Sequence, residues 1–352
     1  MPNTSDFILY ASAATNIVTQ SAYAGDTNTT NGRSSGVWPS ANMNKMIRQA
    51  SYASAAFGSL INTYANQNAV DNGNLSTFTA SVLLAIQNIA LTVARTTLKA
   101  NTTFYVSTTG NDSNNGLAVG TPWATLQHAY NTIQNTYDLN GFTVTLQLAN
   151  GTYNQTLILS GPLIGQGTPG NFVINGNATP TLVVVNGGLT QAIQANFGGS
   201  CVVQNMQVQG LVGLSADGPN TFVNFKNIVF GVCTTAHIYS LNQAYIQCIG
   251  NYSIAGNAPI HANVGNLAYL DLSNGSAGVT ITVGGGLTFS LAFAYSQNNA
   301  VLFTPNTTFS TNVATGVRYN VIKNATIDTG GAAATYFPGN ASGTFATNGI
   351  YA

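Results

Sequence analysis

From residue 104 onward the chain is written in short β-rich runs cut by glycine and asparagine, and asparagines recur after those runs at nearly constant intervals. Asn205, Asn227, Asn251, Asn274 and Asn298 are separated by 22, 24, 23 and 24 residues. The segments before them share a form, as in Val202-Val203-Gln204-Asn205, Val223-Asn224-Phe225-Lys226-Asn227 and Tyr269-Leu270-Asp271-Leu272-Ser273-Asn274. A period of about 23 suits one three-strand coil of a parallel β-helix. Coils then stack at about 4.8 Å, and equivalent asparagines can hydrogen-bond as a ladder. Propellers and β-sandwiches have repeat lengths that fit less well. Roughly 200 residues at this period predict about nine coils and a rod on the order of 40 Å. The expected strands include runs at 142–148, 156–159, 171–174, 181–185, 201–208, 221–230 and 267–272. Between the first of these and residue 104, Leu126, Ala129, Tyr130 and Ile133 have helical spacing, which predicts a capping helix near 124–137.

Charge narrows the function. Only 16 of the 352 residues are formally charged, and all eight acids are aspartate. A typical soluble domain is about a quarter charged, so the surface here must be solvated by amides and hydroxyls; 44 residues are asparagine. With net charge zero and no basic block, the electrostatic footprint of a nucleic-acid binder is missing. The opening Met1-Pro2-Asn3-Thr4-Ser5-Asp6 has neither a basic n-region nor an apolar h-region, so no secretion signal is expected. No stretch approaches the roughly 20 apolar residues of a membrane helix, and no membrane insertion is expected. Cys201, Cys233 and Cys248 are too few for a disulfide framework and read as reduced, buried residues.

Residues 1–100 read differently, as a helical domain. A Gly/Asn/Thr-rich loop covers 25–36. Ser40 then caps a helix to about residue 66, with Met43, Ile47, Ala50, Ala53 and Phe57 on one face. After a turn at Asp71-Asn72-Gly73, a second helix is expected over about 75–99. Its narrow stripe of Leu75, Phe78, Val82, Ala85 and Ile89 suits a small bundle between chains or, equally, a hairpin within one.

Three stretches carry a family resemblance. Phe104-Tyr105-Val106-Ser107-Thr108-Thr109-Gly110-Asn111-Asp112, then Gly116 and Pro122-Trp123-Ala124-Thr125-Leu126-Gln127-His128-Ala129, resemble the opening segment of right-handed parallel β-helix proteins of the pectate-lyase-like superfold, and Ala149-Asn150-Gly151-Thr152-Tyr153 resembles a turn of the same family. Residues 37–50, Val-Trp-Pro-Ser-Ala-Asn-Met-Asn-Lys-Met-Ile-Arg-Gln-Ala, are similar to the attachment region of phage tail fibres. Gly316-Val317-Arg318-Tyr319-Asn320-Val321 and Tyr336-Phe337-Pro338-Gly339-Asn340 look like the closing segment of phage β-helix fibres and spikes. The resemblance implies a phage tail-fibre or tailspike-like virion protein. It would be made in the host cytoplasm and carried on the tail as a homotrimer: a helical attachment and trimerisation domain at 1–100, a right-handed parallel β-helix at 101–315 and a closing segment at 316–352.

Its expected partners are its own copies, other tail proteins and a host surface polysaccharide or receptor. Tail-attachment candidates are Asn42, Asn44, Lys45, Arg48 and Gln49. Tyr239, Tyr245, Tyr252, Tyr269 and Tyr295 are candidates for glycan contact, because aromatic faces stack on sugar rings while neighbouring amides bind hydroxyls. The alternatives are a polysaccharide depolymerase with aspartates meeting between subunits, and a structural adaptor fibre that binds no host. Glycosidases need paired carboxylates about 5–10 Å apart, and Asp217 and Asp271, 54 residues apart, fall on different faces at the local period. His237 and His261, 24 apart, fall on adjacent rungs and read as polar rungs of a ladder or, on a three-fold axis, as metal ligands. No catalytic residue, cofactor or metal is assigned.

Overall fold

The computed structural model describes residues 16–27, 39–93, 95–310 and 314–352. The opening hexapeptide, most of the 25–36 loop, and Val37 and Trp38 of the tail-fibre-like run lie outside the described residues. The chain separates into two compact units, Met1–Ala94 and Arg95–Ala352.

The second unit is mainly β, a parallel β-solenoid of about eight turns. Its strands alternate inward apolar and outward polar residues, as in Val144–Leu148, where Val144, Leu146 and Leu148 are buried and Thr145 and Gln147 are not. Each inward position stacks on its equivalent one coil on. Phe104 pairs with Leu146, Leu146 with Ile174, Ile174 with Val203, Val203 with Phe225 and Phe225 with Cys248. All six are fully buried. Parallel pairing lets each coil satisfy the backbone groups of the next, so one column of apolar side chains becomes a continuous core.

The period is not constant. Successive registers step by 22 residues (Ser200 to Phe222), 23 (to Tyr245), 24 (to Tyr269), 32 (to Val301), 25 (to Thr326) and 24 (to Ile350). The first coil, with its helix, takes 42 (Thr102 to Val144), and the next two take 28 and 29. Longer coils explain why about eight turns are present where a uniform period predicts nine. They also divide the expected asparagine ladder. Asn227 Nδ2 donates to Asn205 Oδ1 at 2.7 Å, and Asn205 Nδ2 to Asn175 Oδ1 at 2.7 Å. Asn298 belongs to another corner, where its Nδ2 donates to Asn266 Oδ1 at 2.7 Å and Asn266 Nδ2 to Asn242 Oδ1 at 2.9 Å. The 32-residue coil moved it there.

The first coil is fixed by one carboxylate. Asp112 Oδ1 accepts from the backbone N–H of Ala124 and Thr125 at 2.8 and 2.9 Å, and Oδ2 from the Thr125 hydroxyl at 2.7 Å. Thr125 then caps the helix Leu126–Thr136, whose Leu126, Ala129, Tyr130 and Ile133 enter the solenoid core. Trp123 stacks on Phe104 at 5.1 Å, and a Cβ on Gly110 would lie 2.2 Å from the Trp123 carbonyl oxygen. At the far end, Phe337 is fully buried between Phe293, Phe309 and Tyr319. Beyond it, Thr344–Ala346 and Ile350–Tyr351 form the last described rung.

In the first unit, Ser40–Leu60 is α-helical and continues as a π-turn over Ile61–Ala65, ending at Asn66 in the left-handed region. Pro39 rather than Ser40 occupies the N-cap, since a proline's fixed φ and missing N–H suit a helix boundary. The second helix spans Leu75–Val93, shorter than expected. Thr96–Thr97 instead pairs in parallel with Tyr137–Asp138, a β-branched dipeptide drawn into a ladder. Ile61, Ala65, Ala69 and Ala85 form a small core with Phe78 and Val82 packed on it, so the two helices make a hairpin within the chain. Leu75, at the head of the expected stripe, is 74% exposed.

Candidate functional site

Outward positions on the solenoid form columns because equivalent residues stack rung on rung. In one column Tyr239 pairs with Asn263 and Asn263 with Tyr295. The Asn263 carboxamide oxygen between the two rings is buried without a hydrogen-bond partner. In a second column Phe222 pairs with Tyr245 and Tyr245 with Tyr269, with ring centroids 5.9 and 5.3 Å apart. Four of the five candidate tyrosines are thus half-buried on two outer columns. Tyr252 is a correction: its ring lies inside the core, and its hydroxyl meets His261 Nε2 at 2.8 Å. A tyrosine in a β-run faces in or out by register, which composition does not reveal.

Asp217 and Asp271 are not brought together. Asp217 ends the strand Ser200–Asp217 and accepts from Asn242 Nδ2 at 2.6 Å. Asp271, at the end of the strand Tyr269–Asp271 two coils further on, accepts from the Ser273 N–H at 2.7 Å, the Ser273 hydroxyl at 2.6 Å and Gln247 Nε2 at 3.1 Å. Tyr245 Oη stands 3.4 Å away, and burial first, with Asp271 second, pushes this phenol up to about 12. A carboxylate so fully occupied holds the fold.

His237 and His261 do occupy adjacent rungs, but inside the solenoid. Both are fully buried, with Nδ1 atoms 3.1 Å apart, among Phe230, Phe289 and Phe293. Burial lowers His237 to about 3, and burial with the neighbouring ring holds His261 well below its ordinary value. Their nitrogens are spent on each other, on Tyr252 and on the Gly231 carbonyl.

All five tail-attachment candidates lie on the helix Ser40–Leu60. Asn42 Nδ2 donates to Asp26, and Asn44 Nδ2 to the Asn16 carbonyl at 3.0 Å, so these two tie the helix to the segment before it. Arg48 donates to Tyr52 Oη at 3.2 Å and lies 5.5 Å over that ring. Lys45 is half-buried and Gln49 exposed.

A further row of residues lies along one corner of the solenoid. Asn196, Asp217, Leu241, Gly265, Gln297, Ile322 and Ala346 are equivalent on successive rungs. A turn follows each of them. From Asn242 onward it holds two left-handed residues: Asn242-Gln243, Asn266-Leu267, Asn298-Asn299, Lys323-Asn324 and Thr347-Asn348. The signal was an Asn-x-Ala pattern at 242, 266 and 298, with a buried alanine closing each turn. Along this corner run two shallow grooves of about 500 and 490 Å³ that share Pro219.

A family described as YfaZ precursor matches residues 216–340. That span is about a third of the chain and lies within the solenoid. Neither the curated proteins nor the solved structures gave a match.

Proposed function

We propose that this chain is a virion fibre protein of the phage tail-fibre or tailspike type. In this reading the helical unit attaches it to the tail, and a right-handed β-helix, assembled as a homotrimer, contacts a glycan of the host surface. The observation that carries the reading is the outward face of the solenoid. Aromatic rings at Phe222, Tyr239, Tyr245, Tyr269 and Tyr295 sit in columns beside half-buried amides such as Asn224 and Gln247, on a chain with very little charge. Such a surface offers a sugar ring an apolar face and its hydroxyls hydrogen-bond partners, with no charge to be matched. The tail-fibre-like run at 37–50 supports attachment through Lys45, Arg48 and Gln49. Trimerisation is supported by the helical unit. Among its described residues the core cluster holds four buried side chains, while Tyr52, Phe57, Leu83 and Ile86 are 45–53% exposed. A core this small leaves apolar surface that further copies would cover.

The test adds fluorescently labelled full-length chain to bacterial cells of the strain that carries its coding sequence. Saturable binding, competed by polysaccharide extracted from those cells, supports the reading. Folded protein that binds nothing overturns it in favour of a structural adaptor.

A further inference from the structure

We infer that the corner row following Asn196, Asp217, Leu241, Gly265 and Gln297 is a groove for an uncharged oligosaccharide lying along the solenoid axis, with Phe197 as its apolar platform. The inference rests on the glycan-contact reading above and gives that contact a place and a ligand charge.

Phe197 carries the argument. On three later rungs the first turn residue is Asn242, Asn266 or Asn298, each left-handed, a conformation asparagine tolerates. Phe197 holds the same place at φ +50°, where a bulky side chain is an outlier, and its ring is 79% exposed. The turn would be better served by asparagine, and burial returns almost nothing for the phenyl, so the ring is kept for what it presents. Leu267 repeats the pattern in the same corner, at φ +63° and 58% exposed.

The groove walls define the ligand. Around Phe197 the flat apolar surfaces are Pro162, Pro169, Pro219 and Phe222, interleaved with the polar side chains of Gln166 and Asn220. Through Pro219 this groove meets the next, over Asn242, Asn266 and Asn298. The amide ladder there uses one N–H and one lone pair of Asn266 for its neighbours. Each carboxamide has two donors and two acceptor sites, so a donor and an acceptor remain for hydroxyl groups. Apolar plates beside amides complement a pyranose, with its C–H face and hydroxyl rim. Rungs about 4.8 Å apart are close to the length of one sugar residue, so about five residues reach from Phe197 to Asn298. Among the described residues, no lysine, arginine, histidine or aspartate lines either groove. Asp217 lies behind Asn242, and Lys323 takes the first turn position on the rung beyond Asn298. An acidic sugar would therefore find no cation in the groove walls, and a nucleic acid no phosphate partner there.

The experiment measures binding of the full chain to immobilised hexasaccharides. Neutral members are built from glucose, galactose, mannose or N-acetylglucosamine, and acidic members contain uronic or sialic acid. At least one neutral hexamer should bind saturably. Phe197→Asn should weaken it at least about tenfold with the thermal unfolding temperature unchanged or raised, because asparagine fits the turn. Leu189→Ser, which changes an 89% exposed leucine in a different turn, should bind as the wild type does. Binding confined to acidic hexamers, no binding to any neutral one, or equal binding by wild type and Phe197→Asn overturns the assignment. Cells separate the two readings. If wild type and Phe197→Asn label cells equally, the groove assignment fails and host contact stands; if wild type labels none, host contact itself fails.

Discussion

Mild acid should destabilise the solenoid from its centre. His237 Nε2 lies 3.0 Å from the Gly231 carbonyl, which can only accept, so that nitrogen carries the proton and Nδ1 is bare. His261 Nδ1, 3.1 Å away, must then donate to it, leaving His261 Nε2 to receive the Tyr252 hydroxyl at 2.8 Å. The chain is complete with both rings neutral. A further proton would set two N–H groups, or an N–H and an O–H, against each other in the core. Burial accordingly lowers His237 from 6.5 to about 3 and His261 in the same direction. With the folded value below the unfolded one, the unfolded chain takes up protons first. Stability is full above about pH 6.5 and is lost as pH falls toward the folded value. At up to about 1.36 kcal/mol per pH unit, His237 alone removes about 2 kcal/mol between pH 6.5 and 4.5, and His261 adds to it. Asp112 acts lower. Burial pushes it up, but hydrogen bonds from Thr125 and Ala124 outweigh that and hold it below 3.8, so its contribution fades only as pH falls past that value. Guanidinium unfolding at pH 7.0, 5.5 and 4.5 measures the slope, and imidazole ¹⁵N shifts report the tautomers. A flat unfolding midpoint across this range, or a buried imidazolium at pH 5 in folded protein, would refute the reasoning.

Four further outcomes are expected. Asn227→Ala loses the bond to Asn205 and leaves a Cβ residue at φ +47°; denaturant unfolding should register a loss of about 1–3 kcal/mol. Gly256→Ala places its Cβ 2.1 Å from the Val232 nitrogen and 2.2 Å from the Gly231 carbonyl carbon, so it should cost about 3 kcal/mol or yield insoluble protein. Cys201, Cys233 and Cys248 are buried, with thiols pushed up to about 12, and should react with a thiol reagent only after denaturation. Asp271→Asn removes a charged acceptor from Ser273 and Gln247 and should lower stability by about 1.5–3 kcal/mol in the same unfolding assay.

What the sequence determined by itself is the kind of fold and how it begins. A coil must bury alternate residues and turn at corners, so short β-runs, inward apolar positions and asparagines at left-handed corners follow locally, and all are readable. The same holds for the first coil, where Asp112, Trp123 and Thr125 lie close in sequence and each answers a local need, a free helix N-terminus or an open core. The tertiary structure alone decided which rung and which column each residue occupies. Asn298 left the ladder of Asn205 and Asn227 because one coil holds 32 residues, and nothing local shows which corner absorbs the excess. Tyr252 turned inward and Tyr245 outward for the same reason. A strand's faces are equivalent until its neighbours set the register, and a one-residue slip exchanges them. The corner row around Phe197 depends on five coils stacking in step, and its residues come from turns spread over about a hundred positions of the chain. Their adjacency comes from the hydrogen bonds between coils, which no single segment of the sequence specifies.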